Sequence, residues 1–281
     1  MPNTPDLRIQ QAVALAEPRG VKVMAQSDDL DTAELERIAV LFGTRPAGVR
    51  CPLAHFACPF GKSHVAIVRV EDRPGSGDPL GFRFLVLGRE LYGHLGDPFA
   101  ISDRYPPNWN ASGTLPDLAW PVEVLPERTV EQLDAILKAG DVSLLLGGTQ
   151  ALIDGNTIRL QRDEPAESLV RGLWQLLPNR DRQTLWPASF AFSDELGFHL
   201  AALPVLSVLP NKDRARALTE EAVRDYPPSK YELSLQIAVE SADRVALRAL
   251  LNRRTADDTI RLGLYILGFA LLAALIARFV M

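Results

Sequence analysis

Short apolar runs broken by turn residues fill the first ninety positions. A proline-rich stretch follows, then helical periods, then one long apolar run. Residues 9–15 and 21–25 are apolar and flank Glu17-Pro18-Arg19-Gly20, which predicts two strands around a turn. Asp31, with Glu34 three residues on and Leu35, Ile38, Ala39 and Leu41 at helical spacing before Gly43, predicts a helix with both ends marked. Residues 64–70 and 80–87 read as two strands joined by a charged Pro/Gly loop, with a helical turn over 89–95. Residues 97–121 have no period but hold large aromatics, so they are expected to form an ordered, irregular cover.

Thr129 and Gln132 make a capping-box pattern for a helix running to Gly140. Residues 142–160 read as a compact β unit, with a strand over 142–146, a Gly147-Gly148 break and a hairpin over Asp154-Gly155-Asn156. A helix is expected over 164–177, then strands over 188–192 and 197–203. Two helices over 213–226 and 229–252 are separated by Pro227-Pro228, and Ser241, Ala242 and Asp243 are a break point in the second. The expected fold class is α+β: mixed strands and helices, then a C-terminal helical hairpin and one transmembrane helix. The implied parts are residues 1–125 and 126–210 as α+β subdomains, 211–258 as a juxtamembrane helical region and 259–281 as the span.

The long apolar run changes the picture most. Residues 262–277 carry no charge, and with Phe279, Val280 and Met281 the run reaches about 20 residues, matching a hydrocarbon core of roughly 30 Å. Arg253, Arg254 and Arg261 precede it and only Arg278 lies near its far end, so the basic flank places the N-terminal bulk in the cytoplasm. The expectation is a tail-anchored, single-pass protein of the cell membrane whose partners are the lipid bilayer and a protein of unidentified nature. A net charge of -5 and a pI of about 5.5 argue against a general affinity for nucleic acid.

Candidate chemistry in the remainder is sparse. Cys51, His55, Cys58 and His64 are zinc-ligand types spaced x3, x2 and x5, which matches no standard template closely. They are read either as a metal site, zinc being the candidate cofactor of a metal-dependent enzyme or zinc-stabilised domain, or as a surface loop with half-buried thiols. In the second reading His64 begins the next strand. Tyr105, Trp109 and Trp120 are candidates to line a ligand or peptide groove. No G-x-x-x-x-G-K-S/T or G-x-G-x-x-G is present, which argues against nucleotide binding, and Ser189 and Ser193 lack the G-x-S-x-G elbow. His199 alternates with Phe198 and Leu200 and is expected on the opposite face, hydrogen-bonded or at the surface.

Residues 8–30, with Gln10, Gln11 and Ser27 as distinctive points, resemble the start of the N-terminal domains of bacterial GTPase-associated proteins. Residues 169–192 are similar to a following module in such proteins. The resemblance implies a bacterial protein of conflict or signalling systems with a binding or scaffolding role, and it transfers no catalytic residue.

Overall fold

The structure, a computed structural model, describes residues 6–17, 19–75, 78–121, 125–206 and 217–252. The expected transmembrane run and its flanking Arg253, Arg254, Arg261 and Arg278 lie outside the described residues. The α+β expectation holds: an eleven-stranded mixed sheet is accompanied by ten helices among the described residues.

The N-terminal half supplies β1 (Arg8–Glu17), β2 (Gly20–Ser27), α1 (Thr32–Leu41), β3 (Ala54–Phe60), β4 (His64–Asp72) and β5 (Leu80–Gly88). It continues with α2 (Arg89–Leu95), α3 (Pro98–Arg104), β6 (Gly113–Leu115) and β7 (Leu118–Ala119). The C-terminal half supplies α4 (Val130–Ala139), α5 (Val142–Ile153), β8 (Thr157–Gln161), α6 (Glu167–Leu176), α7 (Asn179–Arg182), β9 (Pro187–Ala188) and β10 (Leu200–Leu203). After these come β11 (Ala217–Thr219), α8 (Glu220–Arg224), α9 (Lys230–Glu240) and α10 (Arg244–Leu251).

The sheet order is β11-β8-β10-β9-β3-β4-β5-β1-β2-β6, with β7 pairing on β1. Strands β11, β8, β10 and β9 run parallel, whereas β3, β4, β5, β1 and β2 form an antiparallel meander. The short β9 joins the two halves by pairing Ala188 with Phe56. Alternation along the strands sorts the meander into two faces. Phe56, Val68, Val70, Phe82 and Phe84 belong to the larger core cluster, which continues to α1, α4, α5, α6 and α9. Ile9, Val65, Ile67, Leu85 and Leu87 point the other way and are covered by α2, α3 and Trp120.

Several expected elements are corrected. Residues 54–60 are a central strand rather than a surface loop, and all of them but Pro59 are buried. His64 does begin the next strand. Residues 217–219, expected within a helix, are β11, paired in parallel with residues 157–159 of β8. The break at Ala242 is real: its φ of +53° ends α9 and folds α10 back as a hairpin.

The largest correction is α5. Residues 142–153 form one helix, capped by Asp141 through the Leu144 N–H, in place of a strand, a break and half a hairpin. Nine consecutive residues, 144–152, are buried, so no amphipathic period exists to separate helix from strand. The glycine pair serves close packing: a Cβ on Gly147 would lie 2.2 Å from the Val223 carbonyl oxygen, and one on Gly148 2.8 Å from Leu173. Gly147→Ala should therefore lower stability by about 1–3 kcal/mol despite alanine's better helix propensity, read as a lower urea midpoint at unchanged slope. A stabilised variant would mean that α8 yields freely.

Among the described residues no single helix is long and apolar enough to cross a membrane. Helices α4 and α5 reach that length only together, bent by 118°.

Candidate functional site

Register places three basic side chains side by side on the α3-covered face. His55 on β3 faces Arg69 on β4, which faces Arg83 on β5. Like charges directly opposite one another cost free energy, about 0.2–1 kcal/mol per pair, so Arg69 and Arg83 each need an anion or dipoles of their own.

His55 is 1% exposed, and its Nδ1 lies 2.7 Å from Glu167 Oε1 on α6. Glu167 also accepts from Arg171 Nε at 2.5 Å, and the Arg171 fork donates to Asp103 on α3 at 2.6 and 3.0 Å. Burial raises the pKa of Glu167, but the hydrogen bond and charge of His55, with Ser189 and Arg171, outweigh it and hold the carboxyl down to about 2. The Arg171 hydrogen bond likewise lowers Asp103. Phe99 packs edge-on against the His55 ring and under the Arg171 guanidinium, which fixes both. The result is a charge chain that pins α3 and α6 to the sheet.

Ser189 sits beside this chain and is fully buried. Its Oγ accepts the backbone N–H of His55 at 2.8 Å, and its side chain helps hold Glu167 ionised. An activated serine instead offers its hydroxyl proton to the imidazole, so Ser189, His55 and Glu167 are neighbours without being a nucleophile and its base. A shallow depression lined by residues 162–169 opens next to Glu167.

Arg69 is held by Glu71, its Nε donating at 2.5 Å, and Glu71 also accepts from Trp109 Nε1 at 3.1 Å. Trp109 lies over Gly81, where a Cβ would come within 2.8 Å of the indole, and Arg73 stacks on the same ring.

Arg83 is the exception. It is 4% exposed, and its donors go to the Phe84 carbonyl at 2.9 Å and to the Gln11 side-chain oxygen, while Nε has no partner. Burial lowers its pKa to about 10, which leaves it cationic at neutral pH. Gln11 in turn donates to the Pro116 carbonyl of the cover, and its backbone N–H goes to the buried Ser27 hydroxyl at 3.0 Å. Gln10 faces away and donates to the Asp28 carbonyl. The glutamine and serine positions that carried the family resemblance are thus structural partners around β1.

The structure separates the other candidates. Cys51 and Cys58 lie in the larger core cluster, burial pushing both thiols up to about 12, whereas zinc binds thiolate. His55 and Cys58, three apart on β3, point to opposite faces. His64 is at the strand start with its ring on the Ser63 hydroxyl. Among the described residues no three His, Cys, Asp or Glu side chains converge on a common point. Of the aromatics, Tyr105 and Trp120 meet edge to face at 6.1 Å, Tyr105 donating to the Ala119 carbonyl. They sit at the Ile9 end of β1, while Trp109 covers Gly81, the partner of Leu15. Six residue steps along the strand, about 20 Å, separate the two ends. His199 is indeed hydrogen-bonded: its Nδ1 accepts the Trp186 N–H at 3.1 Å, and burial lowers its pKa.

Arg69, Arg83, Glu167, Arg171 and Asp103 were not singled out by sequence reasoning. A signal existed for one of them: Phe82-Arg83-Phe84 sets a charge in the middle of an otherwise apolar strand. The chain matches no protein-family model and no curated protein, so its function rests on this geometry and on the apolar run.

Proposed function

We propose that the chain is a membrane-tethered binding protein: a single apolar span over residues 262–281 holds an α+β domain at the cytoplasmic surface, where it engages a protein partner. The observation that carries this reading is the apolar run from Leu262 to Met281, uncharged as far as Ala277 and about 20 residues in all, long enough for one crossing as a helix.

The helical hairpin supports it. Helix α9 buries Tyr231, Leu235, Ala238 and Val239, yet Leu233 and Ile237 are 49% and 64% exposed. At 100° per residue those two sit on the crest opposite the buried face, so the helix is apolar on both sides. The nine residues between Asn252 and Leu262 span at most about 35 Å from one to the other in any conformation. The hairpin is then the part of the domain nearest the bilayer, and its apolar crest suits the headgroup boundary. The chain through His55 and Glu167 suits a rigid scaffold better than a catalyst, since Arg171 holds both of its carboxylates and His55 holds Glu167.

Fractionation tests the tether. Full-length protein is expected to remain with membranes through carbonate washing, and a chain ending at Arg254 to be released. Protease added to spheroplasts should leave the domain intact. Release of the full chain by carbonate would overturn the tether, and digestion of the domain would reverse its orientation.

A further inference from the structure

We propose that Arg83 is the base of a binding site for an oxyanion, a phosphate or carboxylate group, on the face of the sheet beneath residues 105–121. The buried Arg159 and Arg182 and the half-buried Arg128 are each balanced by a carboxylate or a helix end. Arg159 pairs with Asp194 at 2.7 Å and Arg182 with Asp97 at 2.5 Å. Arg128 donates to the carbonyls of Gln175 and Leu177 at the C-terminus of α6, where the helix dipole supplies negative potential. Arg182 also keeps an unpartnered Nε but has the Asp97 carboxylate, and Arg128 also meets only neutral oxygens but at a helix C-terminus; among the described residues Arg83 alone combines an unpartnered Nε with neutral oxygens only and no helix end.

A lone buried charge is costly, and a neutral residue of similar volume would fill the same space without that cost. Arg69, directly opposite on β4, adds to the positive potential once Glu71 has neutralised only one of the two charges. The Nε and Nη2 donors form the fork that fits a carboxylate or phosphate edge. In the structure Nη2 is occupied by the Gln11 carboxamide oxygen, a neutral stand-in for one ligand oxygen, and Nε awaits the other. An arriving oxyanion takes both donors and displaces Gln11, which also frees the Gln11 contact to Pro116 in the cover. Entry is from the side of Arg69 and Glu71, whose side chains are 23% and 16% exposed beside Trp109.

The test uses the full chain in detergent, with thermal unfolding followed against inorganic phosphate or acetate at constant ionic strength set by chloride. Wild type is expected to show a saturable rise of roughly 5 °C with at least one of the two, which also tells phosphate from carboxylate. Arg83→Gln should lose the rise while remaining at least as stable without the anion. Equilibrium dialysis of the same anion should give one site per wild-type chain. Should Arg83→Gln fail to fold, Arg83→Lys keeps the charge without the fork and must bind at least about tenfold more weakly. Absence of saturable binding of either anion by wild type, or equal affinity in the folded Arg83 variant, overturns the proposal. Membrane fractionation is independent of all these readings.

Discussion

Asp97→Ala is expected to destabilise the protein by about 3–5 kcal/mol, a fall in Tm of roughly 10 °C for a domain of this size. Asp97 is 5% exposed and serves two ends of the structure at once. Its Oδ1 caps α3 through the N–H groups of Phe99 and Ala100 at 3.1 and 3.0 Å. Its Oδ2 accepts from Arg182 at 2.5 Å and from Gln175 at 2.7 Å. Alanine removes a cap worth about 1 kcal/mol and leaves the Arg182 cation buried without its partner, which is the larger loss. The double variant Asp97→Ala/Arg182→Met should therefore be more stable than Asp97→Ala alone, recovering all but the cap and the Gln175 bond. Thermal melts of the four proteins decide it. Additive losses would show that the two charges do not depend on each other.

How much of this could be read from the chain follows the range of the interactions. The caps of α1 and α4 lie within four residues of the groups they satisfy, and Asp31, Thr129 and Gln132 do what their spacing predicted. Strands β1, β2, β4 and β5 of the meander were legible for the same reason, as short apolar runs bounded by turn residues, whereas β3 was expected to be a surface loop. Helix α5 was not legible, because residues buried on every side carry no period and Gly147-Gly148 resembles a break when it is a packing contact with α8. The charge chain was hidden for a third reason. His55 and Glu167 stand 112 positions apart and meet only because β9 enters the sheet beside β3, a pairing of two residues that no local pattern announces.

The zinc reading of residues 51–64 shows the converse. Spacing brought Cys51, His55, Cys58 and His64 together on paper, but a strand through them sends His55 and Cys58 to opposite faces and puts both thiols in an apolar core. A pattern of ligand types has chemical meaning only on a backbone that lets the side chains converge. The same strand gives His55 its place opposite Arg69, so the one candidate ligand with a polar role serves the charge row.

That role sets the pH dependence of stability. Glu167 has a folded-state pKa near 2 against an ordinary value of 4.5, so its contribution is complete above about pH 4.5 and is lost as the pH falls towards 2. At about 1.4 kcal/mol per pH unit the contribution is on the order of 3 kcal/mol. Glu167→Gln keeps the shape and removes the charge. At pH 7 it should be less stable than wild type by about that amount, and the two urea midpoints should converge as the pH is lowered from 5 to 2. Other carboxylates titrate in the same window, but they do so in both proteins, so the difference isolates this one. A gap that stays constant down to pH 2 would mean that Glu167 contributes through packing and not through its charge with His55 and Arg171. Closure of the gap would identify the chain from β3 through α6 to α3 as an electrostatic clamp, the rigid platform on which the Arg83 face is displayed.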